Sequence, residues 1–540
     1  MDKLKRFFIR EKYKKFNEKI FPKTKSSKKI VLVEFNAFNE SHVCQSLLAN
    51  FLAQQHKLSI ISYFNYCILS APLRQTLIQK IKWNFGKWIN YKNHGIYRSM
   101  GSKKVIRPNI IAKNEIKEKK IAQLIFKKLK NKKDILKIKL ENILIGDLIY
   151  DTFLKSNQVA TIDINDKEFY NTLEDFVHLF YYWKNFFDNN NVHSIIGIHG
   201  VYSYGLSLRI AITKKIKAYT IRSNEISKIT KRYKFSSTNF LDYPKKFKLL
   251  NKPIQKKALK IANKILTNRT SGYGGLSNHL ISNISAFHSK QKKRIIKKSN
   301  RTKILICTRN VFDATHVFGN LLFSDNFEWL DFLGKLSEKT NYDWYLKTHI
   351  NFDGKFKLYQ PNSNKIIFEI FKKYKKIKIL PHDYSHKQII NEKINFILTQ
   401  HGSVGFEYPF FGIPVINASY NNPQVAYNFN FNPKTKNAYE KLLRNLNSLK
   451  NKIKINKREI LEFYFMRHLY QDKKWLIDDP ENMIKSIGGW DNMMKEEFYE
   501  YMMKSLDEQK IKKIHLFFKN FLKSNYQSIN IQDTSRIKTL

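Results

Sequence analysis

Residues 399–419, TQHGSVGFEYPFFGIPVINAS, carry the densest set of groups able to do chemistry in this sequence. The apolar run INFILTQ (394–400) predicts a strand that delivers the backbone into a turn, HGSVG (401–405), with a short helix straight after it. The first N–H groups of a helix lack internal partners and, with the helix dipole, favour an anion. Gly402 and Gly405 let backbone approach a phosphate, Ser403 adds a hydroxyl donor, and His401 can give a hydrogen bond or a proton to a phosphate oxygen. Glu407, one turn into the helix, is placed to accept from ribose hydroxyls. The same spacing also fits a tight turn that needs glycine, with Glu407 a solvated helix residue.

Further clusters sit where predicted strands end, the edge at which open α/β sheets bind ligands. In WYLKTHINFDG (344–354), Lys347 could neutralise a phosphate beside His349, or stand on a surface loop as one lysine among 82. In LPHDYS (380–385), His382 and Asp383 could hold a base or ribose, or Ser385 simply caps a helix, with Gln388 completing a capping box. CTRNVFDATHVFGN (307–320) sets Arg309, Asp313 and His316 among apolar residues. In the first half, NAFNESH (36–42) brings Glu40 and His42 to the end of the first strand. A carboxylate or imidazole there could be the general base toward an acceptor hydroxyl, while Asn39 or Ser41 could equally cap a helix. IHGVYSYG (198–205), with His199, and IRSNE (221–225) end other strands, and GDLIYD (146–151), inside the mostly helical stretch, could carry function or equally be a loop with a buried aromatic anchor. The sequence has no Walker A, GxGxxG, HExxH or GxSxG motif and no DxD carboxylate pair. A nucleotide-activated donor would then have its leaving phosphate stabilised by helix N-termini and cations, with no metal and no cofactor beyond the donor itself.

The elements that must position these groups alternate. IVLVEF (30–35), the helical SHVCQSLLANFLAQQ and LSIISYF (58–64) predict a β-α-β opening. A largely helical stretch runs from about 70 to 190. Strands follow at SIIGIHG (194–200) and AYTIRS (218–223), with a short one at NKILT (263–267). Basic, polar residues 286–302 predict a linker. KILICT (303–308), DWYLKTH (343–349), IKILPHD (377–383), INFILTQ and IPVINAS (413–419) then repeat the alternation, and the last 60 residues are mostly helical. Pattern alone predicts two α/β domains with a cleft between them.

Length and composition agree. The 540 residues exceed one core, and 42% hydrophobic content is ordinary for a globular chain. Lys+Arg is 98 against 44 acids, a net charge of +54, which excludes an acidic or mostly disordered protein. Only 16 of the 98 are arginine, and Ile, Asn, Phe and Tyr are also abundant. Residues with A/T-rich codons dominate, so codon bias accounts for part of the charge, and a nucleic-acid binder would favour arginine. No nucleic-acid partner is expected. Cys44, Cys67 and Cys307 form no metal-like pair and suit a reducing cytoplasm. No signal-peptide core and no apolar run of the ~18–20 residues that cross a bilayer is present, so the expected location is cytoplasmic. Charge concentrates in residues 1–29, with 12 Lys/Arg and 3 acids. It concentrates again around Ile511, Ile514, Phe518, Phe521 and Leu522, a stripe set among lysines. That stripe either packs across the domains or docks on an anionic inner-membrane face, where lipid-linked acceptors reside.

HGSVGFEYPFFGIPVIN resembles bacterial capsule and surface polysaccharide biosynthesis proteins, glycosyltransferases of the two-domain GT-B type that include the Kdo transferases of capsule linkers. The shared pattern is a strand, His-Gly-Ser/Thr-x-Gly-x-Glu, then Gly-x-Pro-Val-Ile, matched here by His401, Gly402, Ser403, Gly405, Glu407, Gly412 and Pro414. WYLKTHINF is similar to the family's Lys-Pro-His-Pro strand end, with Thr348 and Ile350 replacing both prolines. LPHDYS, CTRNVFDATHVFGNLLFSDNFEWL and NILIGDLIYDTFLK are similar to other family segments. The resemblance is best over about residues 300–420. It implies an α/β, GT-B-like fold of two Rossmann-like domains facing a central cleft. These would be a basic N-terminal segment (1–29), an acceptor-side domain with a helical insertion (30–290), a donor-binding domain (300–480) and a helical tail (481–540). It implies transfer of a sugar from a nucleotide-activated donor to a capsule- or lipopolysaccharide-type glycan. The donor would be held by Lys347, His349, Asp383, Ser385, His401, Gly402, Ser403, Gly405 and Glu407. Glu40, His42 and His401 would be catalytic, and Arg309, His316 and His199 would border the cleft. A CDP-glycerol-type polyol-phosphate transferase shares a similar plan, and a non-catalytic basic protein that binds nucleic acid or a membrane surface is the contrasting reading.

Overall fold

A computed structural model describes residues 3–21, 27–223, 225–232, 235, 239–272, 286–319, 321–349, 359–419, 421–450, 454–470, 476–477 and 480–530. The chain forms two compact units. The first takes Met1–Ser156, Ile162–Ser236 and Gln471–Ser535, the second Asn157–Thr161 and Ser237–Tyr470.

The first unit is built on the β-branched run that opens the alternation. β1 (Lys29–Phe35) is buried at every residue but its first, as a central strand covered on both faces must be. It is followed by β2 (Ser59–Phe64), β3 (Ser102–Ile106), a small hairpin of β4 (Lys139–Leu140) and β5 (Ile143–Leu144), then β6 (Asn191–Gly197), β7 (Lys217–Arg222) and β8 (Glu225–Ile229). Strands run parallel in the order β3-β2-β1-β6-β7, so the chain steps outward one way from β1 and then the other. β8 adds antiparallel beside β7. The helix Asn39–His56 is buried along its first fifteen residues, Asn39 to Ala53.

The second unit repeats the plan with β9 (Lys303–Cys307), β10 (Asp343–Lys347), β11 (Ile377–Leu380), β12 (Phe396–Thr399) and β13 (Val415–Asn417). Their order is β11-β10-β9-β12-β13, and all are parallel. Each unit taken by itself is thus a Rossmann-like α/β sheet, as the alternation predicts. The chain then returns to the first unit, where β14 (Ser528–Asn530) pairs antiparallel with β8.

Several expectations are corrected. NKILT is not a strand but lies inside the helix Lys252–Ser271. Asn251 caps that helix and Pro253 sits in its first turn. Ala258, Ala262, Ile265, Leu266 and Arg269 make one buried stripe at helical spacing, which outweighs five residues of strand propensity. This helix belongs to the second unit, so the boundary falls near 236, not 290. Residues 286–302 are irregular but no free linker. Phe287 and Ile296 are buried, His386 N–H donates to Ala286 O, and the N–H groups of Lys292 and Ile295 donate to Gln388 Oε1 and the Tyr384 hydroxyl. GDLIYD opens the helix Gly146–Asn157, with Asp147 in a buried pair with Arg209 at 2.5 Å. The basic N-terminus forms the helix Lys3–Ile20, with Ile9, Tyr13 and Asn17 buried in the first unit. The C-terminal stripe is core rather than membrane surface. Ile511, Ile514, Phe518 and Phe521 are buried in the first unit's hydrophobic cluster, with Leu522 packed against it. Among the described residues no helix is long and apolar enough to cross a membrane.

Candidate functional site

In an open parallel sheet the crevice lies beyond the strands' C-terminal ends, between the two strands from which the chain departs in opposite directions. In the second unit these are β9 and β12. A pocket of about 530 Å³ opens there, within the range of small-molecule sites. The register aligns Cys307 of β9 with Lys347 of β10 and Ile306 with Leu398 of β12. Thr308, Arg309, Lys347, Thr348, Thr399 and His401 therefore arrive at one rim.

The pocket's charge is mostly positive. Arg269, Arg309, Lys347 and Arg467 line it, with Glu407 as its single carboxylate. Glu407 is not available to ribose, contrary to expectation. Its Oε1 accepts from Arg269 Nε at 2.9 Å and the terminal nitrogen at 2.6 Å, and its Oε2 accepts from Ser403 Oγ at 3.1 Å. This buried pair ties the helix Lys252–Ser271 to the turn. Lys347 Nζ donates to His382 O at 2.6 Å, and burial pulls its pKa down to about 8. Arg309 donates to His401 Nε2 and to Asp313 O.

Three imidazoles on the walls are held neutral. His386, His401 and His468 are all pushed well below the usual histidine value, by burial first and then by neighbouring cations. His401 accepts at Nε2, so its proton sits on Nδ1. It can donate a hydrogen bond but has no acid proton to give. Nδ1 of His401, Oγ1 of Thr308 and Thr348, Oε1 of Gln424 and Nε2 of His468, all on residues of the pocket wall, are buried and have no hydrogen-bond partner among the described residues. Buried polar groups are almost always bonded, so such a cluster marks a place for a polar ligand. Phe287, Phe318 and Val404 supply apolar wall.

The turn itself is tighter than the sequence reading supposes. The helix Val404–Phe410 has seven residues, and the N–H groups of Gly405 and Phe406 already donate to the carbonyls of Gly402 and Ser403. The pocket's positive charge therefore comes chiefly from its cationic side chains. A Cβ at Gly405 would lie 3.1 Å from the Gln424 amide, a tight contact that the glutamine side chain would have to relieve.

Of the predicted residues, Arg309, Lys347, His349, His401, Gly402, Ser403 and Glu407 come together in this pocket. Asp383 and Ser385 are not among its lining. Asp383 pairs with Lys292 at 2.7 Å. Ser385 caps the helix His386–Asn391 and donates to His288 O at 2.6 Å. The capping box is not formed, because the Gln388 side chain turns to Lys292 O, Tyr384 and Glu392. His316 is buried against Ser324 O at 3.0 Å. In the first unit, Glu40 is buried and accepts from Ser223 N at 2.8 Å. His42 is fully buried between the Tyr499 hydroxyl and Asn36 O, and burial lowers its pKa to about 4. Both therefore serve the core rather than a general base's task. His199 stands half-buried beside Tyr204, ring centroids 5.1 Å apart.

Sequence reasoning missed Arg269, Arg467, His386 and His468. One signal was present. Three of the four pocket cations are arginine, in a chain where only 16 of 98 cationic residues are. It also missed Glu34 at the first unit's own strand reversal, a lone acid in an apolar strand. Glu34 Oε2 accepts from Ile198 N–H at 3.1 Å, burial raises its pKa to about 7, and a Cβ at Gly197 would meet that oxygen at 3.0 Å. Among the described residues no three His, Cys, Asp or Glu side chains are grouped to hold a metal ion.

No protein-family profile matches the sequence, and no curated protein does. Among solved structures, the β-Kdo 2,4 transferase KpsC of Thermosulfurimonas dismutans is similar at 13% identity and a TM-score of 0.31, over 52% of this chain and 80% of that one. The UDP-GlcNAc 2-epimerase of Neisseria meningitidis bound to UDP-GlcNAc is similar at 11% identity and a TM-score of 0.24, over 81% and 97%. The S. aureus MnaA–UDP co-structure is similar at 11% and 0.21, over 81% and 91%.

Proposed function

We propose that this chain is a glycosyltransferase that holds a nucleotide-activated sugar in the pocket of the second unit and passes the sugar to a cell-surface glycan. One observation carries the reading: Arg309, Lys347 and Arg467 converge with buried, unengaged polar atoms at the C-terminal ends of β9, β10 and β12. A phosphorylated ligand needs that combination, charge for its phosphates and fixed donors for its oxygens.

In the reaction, the acceptor hydroxyl oxygen attacks the anomeric carbon and its proton passes to a base. The bond from the anomeric carbon to the phosphate oxygen breaks, and the nucleoside phosphate leaves with the electron pair. Arg309, Lys347 and Arg467 stabilise that charge, and His401 donates from Nδ1. Glu407 acts through Arg269 and Ser403 as a positioning residue. The resemblance to capsule glycosyltransferases supplies the acceptor class.

The test is binding and turnover with CMP-, CDP-, UDP- and GDP-linked sugars, with CDP-glycerol alongside. One nucleotide sugar should raise the melting temperature and be consumed in the presence of a glycan acceptor. Arg309→Ala should weaken its binding by about 10- to 100-fold, the range for hydrogen bonds to charged groups. Turnover of CDP-glycerol alone would reassign the chain to polyol-phosphate transfer. Stabilisation by none of these ligands would end the reading.

A further inference from the structure

The helix Leu77–Trp88 of the first unit has no buried residue, yet half of its twelve residues carry large apolar side chains. Leu77, Ile78, Ile81, Phe85 and Trp88 are 74%, 64%, 58%, 56% and 77% exposed. At 3.6 residues per turn these five fall within an arc of roughly 100°, one continuous face. Trp83 lies on the opposite side and tethers the helix, with ring centroids 5.3 Å from Phe64, 5.7 Å from Phe35 and 4.9 Å from His94. A Thr76–Gln79 capping box closes its N-terminus. Isolated exposed apolar residues need no explanation, but a contiguous face of this kind marks an interaction surface.

The surroundings say what covers it. Residues 77–92 include Lys80, Lys82, Lys87 and Lys92 and no acid. Next to the helix, a pocket of about 430 Å³ is lined by Lys87, His94, Arg98, Lys103 and Lys104, again with no carboxylate. A second copy of the chain would bring its own +54 against this positive rim. A surface of phosphate headgroups over an apolar layer matches both features at once.

We infer that the helix Leu77–Trp88 lies in the interface of a bilayer that contains anionic phospholipid. Its Leu77–Trp88 face enters the acyl boundary, and the Lys87–Lys104 pocket holds a lipid phosphate. The inference stands independently of the reaction proposed above, because nucleotide binding is read on the other unit.

The experiment is co-sedimentation of the full chain with phosphatidylcholine vesicles, with and without phosphatidylglycerol. The wild type should pellet with the anionic vesicles and far less with the neutral ones. Phe85→Glu with Trp88→Glu should weaken partitioning by at least about tenfold, as removal of two large buried apolar groups requires. Lys103→Glu with Lys104→Glu should abolish the preference for phosphatidylglycerol. Both variants should melt as the wild type does. Leu77→Ser with Ile81→Ser, milder changes on the same arc, should give an intermediate loss. Failure of the wild type to bind anionic vesicles, or equal binding by the Phe85/Trp88 variant, overturns the inference. A dimer in ultracentrifugation that this variant dissolves, with no vesicle binding, would make the face a self-interface and overturn it too.

Discussion

The two units share one topology and treat its crevice in opposite ways. In each, the strand order reverses beside the first strand, at β1 and β6 in one and at β9 and β12 in the other. At the first reversal the polar groups face inward. Glu34 and His42 are 1% and 0% exposed, Glu40 is engaged by Ser223, and Tyr499 from the helix Glu496–Ser505 reaches His42. At the second reversal Arg309 and His401 border an open pocket, lined by four cations and one carboxylate. Strand order therefore supplies a place, and the side chains decide whether it becomes core or binding site.

The buried ion pairs give the largest test of that contrast. Arg209–Asp147 in the first unit and Arg269–Glu407 in the second are both buried, at 2.5 and 2.6 Å. Removing one partner of such a pair costs about 3–5 kcal/mol, because it strands a buried charge. Arg209→Ala and Arg269→Ala should both lower the unfolding midpoint, and only Arg269→Ala should also weaken nucleotide binding. Equal loss of binding in both would break the comparison.

Glu34 gives the next effect. Its folded pKa of about 7 lies above the ordinary 4.5, so the folded state holds that proton more tightly than the unfolded chain. Stability from this group is full below about pH 4.5 and is lost as pH rises to about 7, a change on the order of 3 kcal/mol. Glu34→Gln should remove that slope, so its advantage over the wild type in urea melts should grow between pH 5 and pH 8. His42, buried neutral, gives stability that falls with acid, and it cancels in the difference because both proteins carry it. An advantage that stays constant with pH would show that Glu34 is not the source.

The contrast between the units was only half legible in the sequence. The central strands were, because β-branched runs such as IVLVEF and KILIC have few other solutions, whereas β3, the polar SKKVI, lies in the stretch read as largely helical. The HGSVG turn was, because glycine beside a strand end is local. Glu407 was misassigned because its partner Arg269 lies 138 residues away, on a helix whose NKILT stretch mimics a strand. The stripe at Ile511–Phe521 and the face at Leu77–Trp88 have the same helical period. One is core and the other exposed, which periodicity alone does not distinguish because what covers a helix is tertiary. Arginine scarcity was the signal left unused, since a guanidinium kept in a lysine-rich chain marks a place where a fork of donors is needed.

Lys347 gives the smallest effect and the sharpest separation of the units. Its ammonium, lowered to about 8 by burial, should be mostly charged at pH 7 and mostly neutral at pH 9. Nucleotide affinity should therefore fall by up to about tenfold across that interval, the limit set by one pH unit beyond the pKa. The diphosphate of a nucleotide sugar, esterified at both ends, keeps the same charge throughout that interval, so the change does not come from the ligand's phosphates. Lys347→Arg, with a group that stays charged, should flatten the profile, and Lys347→Met should be weak throughout. Matching wild-type and Lys347→Arg profiles in isothermal titration would remove Lys347 from the anion site. Because the Glu34-dependent loss of stability is nearly complete by pH 8, a fall in affinity above pH 8 without a parallel fall in that stability assigns the two titrations to different units.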